Sequence, residues 1–178
     1  MSSFVPSPYL LLVLTNLFWA GNFIVGRAFH GTIPPAGLAF WRWAIALVIL
    51  LPFAASPVVA QRELIARHWK MLTLMGLMGV AAFSTLLFTG LSLTTATNAL
   101  LLNSTAPVLI VLVGWIVVGE RVTARQALGI AVSLAGVTAI VFKGSWAGVR
   151  ALDFGVGDLW VVAAATVWAA YTVLLRRR

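Results

Sequence analysis

Six long apolar runs divide the sequence, and they constrain the fold more than any other feature. An α-helix needs about 20 predominantly apolar residues to cross the hydrocarbon core of a bilayer. The runs cover residues 8–27, 35–55 with an extension to 60, 71–93, 96–118, 124–142 and 156–175. Because the connectors between the runs are short, we predict an all-α, polytopic membrane bundle of about six transmembrane helices with antiparallel neighbours.

The composition excludes a soluble globular domain. Apolar residues make up 62% of the 178 positions and charged residues 9%, whereas a soluble domain is about half apolar and a quarter charged. We therefore predict that the lipid bilayer is the main partner of the chain. Most of the net charge of +8 lies in the connectors and in residues 176–178, which indicates membrane topology and argues against binding to nucleic acid.

The distribution of basic residues predicts the orientation in the membrane. With the N-terminus in the cytoplasm, eight Lys and Arg residues lie inside and three outside, as the positive-inside rule favours. The inside set is Arg62, Arg67, Lys70, Arg121, Arg125, Arg176, Arg177 and Arg178, and the outside set is Arg27, Lys143 and Arg150. Six spans return the C-terminus to the cytoplasm, and we expect a bacterial inner membrane protein with both termini cytoplasmic.

A weak internal repeat relates residues 10–27 to residues 159–176. Its identical positions are Leu10, Val13, Trp19, Ala20 and Arg27, which match Leu159, Val162, Trp168, Ala169 and Arg176. An odd number of predicted helices separates the copies, so the second copy crosses the membrane in the opposite direction, as in the inverted repeats of secondary transporters. We predict a first five-helix repeat over 8–143, a connecting loop over 144–156, and the first helix of a truncated second repeat over 157–178.

An ordered set of segments resembles a known family. The segments are 16–23 (NLFWAGNF), 38–43 (LAFWRW), 99–101 (ALL) followed by Ala106-Pro107, 119–121 (GER) through Gln126 and Gly129, and 157–169 from GDL to WA. Together they resemble EamA-type proteins of the drug/metabolite transporter superfamily. The resemblance implies ten helices in two inverted repeats that export or exchange a small-molecule substrate, a metabolite, by alternating access.

The sequence ends after the sixth run, whereas the family pattern has ten helices. We therefore expect the chain to be a fragment of a ten-helix carrier or a truncated product. In either case, the missing second half or a second copy would be needed to close the cavity. The alternative hypothesis is a membrane interaction or scaffold protein without transport.

Arg42 lies within the second run and is the first candidate for the substrate path. If the helix begins at Pro35, Arg42 lies about 10 Å along it, and an Arg at the centre of a spanning helix costs about 2.5–3.5 kcal/mol. One interpretation is a cavity cation that meets an anionic or polar substrate group. The other is a side chain that extends to the outer headgroups, with Trp41 and Trp43 as an aromatic belt. The family resemblance favours a position inside the bundle.

Other polar and aromatic residues are further candidates for the substrate path. They are Trp19, Asn22, Asn98, Asn103, Thr105 and Tyr171. The polar side chains either line a cavity or form hydrogen bonds to neighbouring helices. A Thr hydroxyl can also form a hydrogen bond within its own helix. The rings of Trp19 and Tyr171 either line a cavity or pack against other side chains. Pro107 lacks a backbone N–H, and we predict a kink there with a role in gating.

Two sets of residues are predicted to be structural. Glu120 and Arg121 are predicted to form a boundary pair that ends the fourth run at the cytoplasmic face, and the alternative is that the Glu120 carboxylate couples transport to protons. Small residues recur in the fifth run, where they would let helices approach closely. They are Ala127, Ala131, Ala135, Ala139, Gly129 and Gly136.

Catalytic and cofactor motifs are absent from the sequence. It contains no Cys, no P-loop, and only two His residues, His30 and His68, neither spaced with an acidic residue as a metal ligand. We predict that the chain is not an enzyme and binds no metal or cofactor.

Overall fold

The computed structural model describes residues 7–29, 31–119, 121–141 and 155–176, and these residues form helices with short connectors and no β-strand. Glu120 and most of the predicted connecting loop, residues 144–154, lie outside the described residues. The helices are α1 (Pro8–Ala28), α2 (Pro35–Ala60), α3 (Arg62–Arg67), α4 (Trp69–Gly76), α5 (Phe83–Leu93), α6 (Ala96–Asn103), α7 (Ala106–Val118), α8 (Ala124–Val141) and α9 (Val156–Arg176). A π-helical segment, Leu77–Ala82, joins α4 to α5.

The lengths of the helices confirm the prediction of a polytopic helical membrane bundle. Five helical stretches in the described part of the chain are long and apolar enough to cross a membrane. They are α1, α2, the stretch Trp69–Leu93, the stretch Ala96–Val118, and α9. In α8 the apolar part, Ala124–Ala139, is shorter. The protein is therefore an integral membrane protein. Where the chain is described, the bounds of these apolar stretches lie within two residues of the predicted ones, and α2 includes the predicted extension to residue 60.

The fourth apolar run contains a break that hydropathy does not show. α6 ends at Asn103 and α7 begins at Ala106, so that Pro107 occupies the first turn of a new helix. A proline is tolerated at that position because the first N–H groups of a helix have no intrahelical acceptor. The interruption therefore lies immediately before Pro107, and its use in gating stays a prediction.

The helix α5 lies at the centre of the described bundle. α9 packs along it, and α1 and α2 also contact it. α9 makes further contacts with α6 and α7. The buried core joins these elements through Phe23, Ala39, Phe83, Leu87, Phe88, Leu91, Ala99, Val161 and Ala164.

Two glycines allow α5 and α9 to approach closely. A Cβ atom on Gly90 would lie 2.6 Å from Val161 Cγ2, and one on Gly157 would lie 2.5 Å from the backbone carbon of Leu93. Small residues in membrane helices serve such close contacts. Neither glycine belongs to the set that the sequence analysis assigned to helix packing.

The small residues of α8 that were predicted to serve helix packing are exposed. Ala127, Ala131, Ala135 and Ala139 are exposed. Gly129 and Gly136 are exposed as well, and a Cβ on either would meet nothing within 4 Å. Within the described residues α8 makes a small contact with α6. This face is therefore not packed against another described helix, and its role in packing stays a prediction.

Side-chain bonds join several helix ends at one face of the bundle. Thr94 Oγ1 donates a hydrogen bond to Asp158 Oδ1 at 2.5 Å, and the Gly155 N–H donates to Asp158 Oδ2 at 2.8 Å. Arg27 Nη1 donates to the carbonyls of Leu91 and Thr94 at 3.1 and 3.2 Å. The end of α5 and the starts of α6 and α9 thus meet at one face, which we call the Asp158 face. The ends of α7 and α9 and the start of α8 lie at the opposite face, the Arg176 face.

Candidate functional site

Arg42 turns its guanidinium towards the neighbouring helices α1 and α5. Its Nη1 donates to Asn22 Oδ1 at 2.8 Å, and its Nη2 donates to Ser84 Oγ at 2.6 Å. The side chain is half-buried. One cation therefore connects α1, α2 and α5, and the interaction replaces part of the hydration that an Arg loses within a membrane.

Ser84 is the second member of this cluster. It is fully buried, and its Oγ also accepts a hydrogen bond of 3.0 Å from Trp43 Nε1. The two donors occupy both acceptor lone pairs of the hydroxyl. Sequence reasoning missed Ser84, because an isolated Ser in an apolar helix carries no local signal of its partner.

Aromatic rings and one unpaired donor complete the surroundings of Arg42. Its guanidinium carbon lies 5.1 Å from the ring centroid of Trp43 and 5.3 Å from that of Phe88, both within the range of cation–π attraction. Its Nε is buried and has no hydrogen-bond partner among the described residues. A buried donor without an acceptor costs about 1–3 kcal/mol, so the site has unused capacity for an anionic or carbonyl oxygen.

A cavity of about 350 Å³ lies beside Arg42, and we call it the Arg42 cavity. Its walls come from α1, α2, α4, α5, α9 and the π-helical segment. The lining residues are Trp19, Asn22, Arg42, Trp43, Met75, Gly76, Gly79, Val80, Phe83, Trp168 and Tyr171. The fold thus brings together four of the residues proposed from sequence for the substrate path, and the volume falls within the range of small-molecule sites.

One wall of the Arg42 cavity is a chain of aromatic rings in tilted contact. The centroid of Trp168 lies 5.6 Å from that of Trp19, 4.9 Å from that of Phe83 and 5.4 Å from that of Tyr171. Trp19 and Trp168 occupy equivalent positions in the weak internal repeat. Contact between equivalent residues is what an inverted repeat would produce near its symmetry axis.

The π-helical segment brings the backbone close to this wall. Gly79 lies in the segment and is buried, and a Cβ there would lie 2.9 Å from Tyr171 Cε2. Segments of π-helix within α-helices occur frequently at functional sites. Hydropathy carries no sign of this segment, because α- and π-helical turns have the same composition in an apolar span.

The profile of the EamA-like transporter family matches residues 6–142. This chain belongs to the EamA-like transporter family. The match confirms the resemblance found in the sequence, and it covers the part of the chain that supplies Asn22, Arg42 and Ser84.

Curated relatives of this EamA-like chain are named as transporters. An uncharacterized transporter of Archaeoglobus fulgidus is 34% identical over 93% of this chain and 56% of its own length. A probable terminal-alkyne amino-acid exporter of Streptantibioticus cattleyicolor is 36% identical over 88% of this chain and 50% of its own length. An uncharacterized transporter of Bacillus subtilis is 26% identical over 95% of this chain and 55% of its own length.

The EamA-like chain spans about half the length of the curated relatives that it matches. No solved structure matches it.

The remaining polar candidates of the EamA-like chain lie outside the Arg42 cavity. Asn98 is buried at the start of α6, where its backbone N–H donates to Thr95 Oγ1 at 3.1 Å. Asn103 and Thr105 are half-buried at the junction of α6 and α7. Thr105 Oγ1 donates to the Leu102 carbonyl of its own helical turn at 2.6 Å, which was one of the alternatives open from sequence.

The boundary residues of the EamA-like chain are described only in part. Arg121 is exposed just beyond α7, whose last turn ends at Gly119 in a left-handed conformation with φ of 73°. Its predicted partner, Glu120, lies outside the described residues. Across the described ranges, no group of three or more His, Asp or Glu side chains is arranged to hold a metal ion.

Proposed function

We propose that this EamA-like protein transports a small metabolite across the membrane by alternating access, with Arg42 as the cation that meets an anionic group of the substrate. The observation that carries the proposal is the Arg42 cavity, where the half-buried Arg42 side chain has one donor, Nε, without a partner among the described residues. Among the described residues, no Asp or Glu lines this cavity. The charge of Arg42 is therefore neutralised by no carboxylate of the lining and is available to an anion.

The walls of the cavity support a substrate that is amphipathic. The ring chain of Trp19, Trp168 and Tyr171 offers apolar surface opposite the polar cluster of Asn22 and Arg42. An amino acid with an apolar side chain combines a carboxylate with such a surface. The name of the relative from Streptantibioticus cattleyicolor describes an amino-acid exporter, and we propose the same direction, export, for this protein.

Uptake into everted inner-membrane vesicles tests the proposal, because export in the cell becomes uptake in that preparation. The probes are radiolabelled L-leucine and L-propargylglycine, a terminal-alkyne amino acid. We expect Arg42→Ala to lower uptake about tenfold or more, because hydrogen bonds to a charged group contribute about 1.5–3 kcal/mol and about 1.4 kcal/mol is a factor of ten. Arg62→Ala is the matched control, since Arg62 is exposed at the start of α3.

Equal uptake by the Arg42→Ala and Arg62→Ala proteins would remove Arg42 from the substrate path. Stable, monodisperse protein with no flux of either probe would instead favour the alternative function, a membrane interaction protein. The exposed small residues of α8 would then be the first surface to examine.

We further propose that a second half of the carrier, or a second copy of the chain, supplies the remaining wall of the cavity. The lengths of the relatives support this proposal, since each is about twice the matched region. The same vesicle assay addresses it when the 178-residue chain is compared with the product of the whole source gene. Full transport by a monomeric 178-residue chain would contradict the need for another half.

A further inference from the structure

A second cavity, of about 410 Å³, lies at the Arg176 face and shares no lining residue with the Arg42 cavity. We call it the Arg176 cavity. It is bounded by α7, by the start of α8 and by the last residue of α9. The proposed substrate site does not include it.

The opening of the Arg176 cavity is basic. Arg121 comes from the connector before α8 and Arg176 from the end of α9, and Gln126 adds an amide beside them. Both Arg side chains are exposed. The lining contains no Asp or Glu, so within the described residues two cations converge at the mouth without a carboxylate between them.

The depth of the Arg176 cavity is apolar. Its inner wall includes Pro107 and Ile110 of α7 and Ile130 of α8. At a rise of 1.5 Å per residue, Pro107 lies roughly 16 Å from Val118, the last residue of α7. The cavity therefore runs from the headgroup level of the membrane towards its hydrocarbon centre.

We infer that the Arg176 cavity binds an anionic phospholipid. The phosphate group lies between Arg121 and Arg176, and one acyl chain lies along Pro107, Ile110 and Ile130. Basic pockets between transmembrane helices at the membrane surface bind anionic headgroups, and Arg is suited to phosphate because its fork of donors matches the phosphate oxygens. A free anion would use the mouth of the cavity and leave the apolar depth unoccupied, so the combination of both parts favours a lipid.

Lipid adducts of the purified protein, counted by native mass spectrometry from detergent micelles, test the inference. The probes are dioleoyl-phosphatidylglycerol, dioleoyl-phosphatidylcholine and inorganic phosphate. We expect Arg121→Gln and Arg176→Gln each to weaken phosphatidylglycerol binding about fivefold, which corresponds to about 1 kcal/mol per cation at a membrane surface. Arg125→Gln is the matched control. Arg125 is exposed in the first turn of α8, next to Gln126, but it does not line the cavity.

A second pair of variants tests the apolar depth without changing charge. A Cβ on Gly129 or on Gly136 would meet nothing within 4 Å, so a side chain can leave the backbone at either position without a clash at its Cβ. Gly129 lines the Arg176 cavity and Gly136 does not. We expect Gly129→Leu to obstruct the acyl chain and lower phosphatidylglycerol binding, while Gly136→Leu leaves it unchanged.

Three results would overturn the inference. Equal loss of binding in the Arg125→Gln protein would indicate diffuse attraction by surface charge. Displacement of phosphatidylglycerol by an equal concentration of inorganic phosphate would indicate a site for free anions. Phosphatidylcholine binding that matches phosphatidylglycerol and ignores every substitution would indicate an ordinary lipid annulus. Each of these outcomes is independent of whether the Arg42 cavity carries a substrate.

Discussion

At the scale of single residues, one polar cluster joins the side chains of three helices around the buried hydroxyl of Ser84. Asn22, Arg42, Trp43 and Ser84 form one cluster within the membrane. Ser84 is the acceptor that two donors share, although it does not line the Arg42 cavity. Loss of this acceptor would remove the partner that Arg42 Nη2 and Trp43 Nε1 have in the structure.

Substitution of Ser84 by Ala should therefore lower the free energy of unfolding more than the removal of a single oxygen atom would suggest. It leaves Arg42 Nη2 and Trp43 Nε1 without an acceptor, and each unsatisfied donor costs about 1–3 kcal/mol. The midpoint of thermal unfolding in detergent measures the effect. Ser92→Ala is the matched control on the same helix, since Ser92 Oγ donates to the Thr89 carbonyl of its own turn. Equal midpoints for the two variants would show that Ser84 is not a structural acceptor.

At the scale of helices, the crossing of α5 and α9 organises the bundle. The described helices are apolar around much of their circumference, because lipid and protein interior are both apolar solvents. Shape therefore decides which faces meet. Gly90 and Gly157 remove side chains where the two backbones cross, and Val161 and Leu93 fill the space.

Gly90→Ala should disrupt this crossing, because the new Cβ would lie 2.6 Å from Val161 Cγ2 and 2.9 Å from the Gly157 carbonyl oxygen. Overpacking of this kind costs about 1–3 kcal/mol, more than the gain in helix propensity of up to about 1 kcal/mol. We expect a lower midpoint of thermal unfolding in detergent for the Gly90→Ala protein than for the parent.

The control for the crossing is Gly76→Ala. Gly76 lies in the same membrane-spanning stretch, and a Cβ there would meet nothing within 4 Å. We expect the Gly76→Ala protein to be as stable as the parent or more stable. A Gly90→Ala protein with the same midpoint as Gly76→Ala would mean that α5 and α9 do not approach as closely as described.

At the scale of the whole molecule, the fold has two distinct faces with different chemistry. The Asp158 face holds Arg27 and Asp158 in hydrogen-bonded contacts, whereas the Arg176 face presents exposed basic side chains around a cavity. From the positive-inside rule we propose that the Arg176 face is cytoplasmic.

The absence of native cysteines makes the orientation directly measurable. Thr32 lies in the connector between α1 and α2 at the Asp158 face, and Gln61 lies in the connector between α2 and α3 at the opposite face. Each can be replaced by Cys. We expect a membrane-impermeant maleimide to label Thr32→Cys in intact cells and Gln61→Cys only after the membrane is permeabilised. The reverse pattern would place both termini outside the cytoplasm and invert the proposed direction of transport.

Hydropathy and spacing were sufficient to predict the membrane class and the bounds of the apolar helices, whereas the family was indicated by the resemblance of an ordered set of sequence segments. The first two properties depend on local composition and length, because every residue of a spanning segment meets the same apolar solvent. The same reasoning identified Arg42, Asn22, Trp19 and Tyr171 as candidates for one site, since each departs from the composition expected of a lipid-facing helix.

Only the tertiary structure decided which of these residues meet and how. The partner of Arg42, the approach of Gly79 to Tyr171, and the crossing at Gly90 depend on distances between segments far apart in the sequence. Hydropathy cannot predict them, because a face that packs on protein and a face that packs on lipid have the same apolar character. The sequence therefore determined the helices and their solvent, and the geometry of packing decided where the cavities lie.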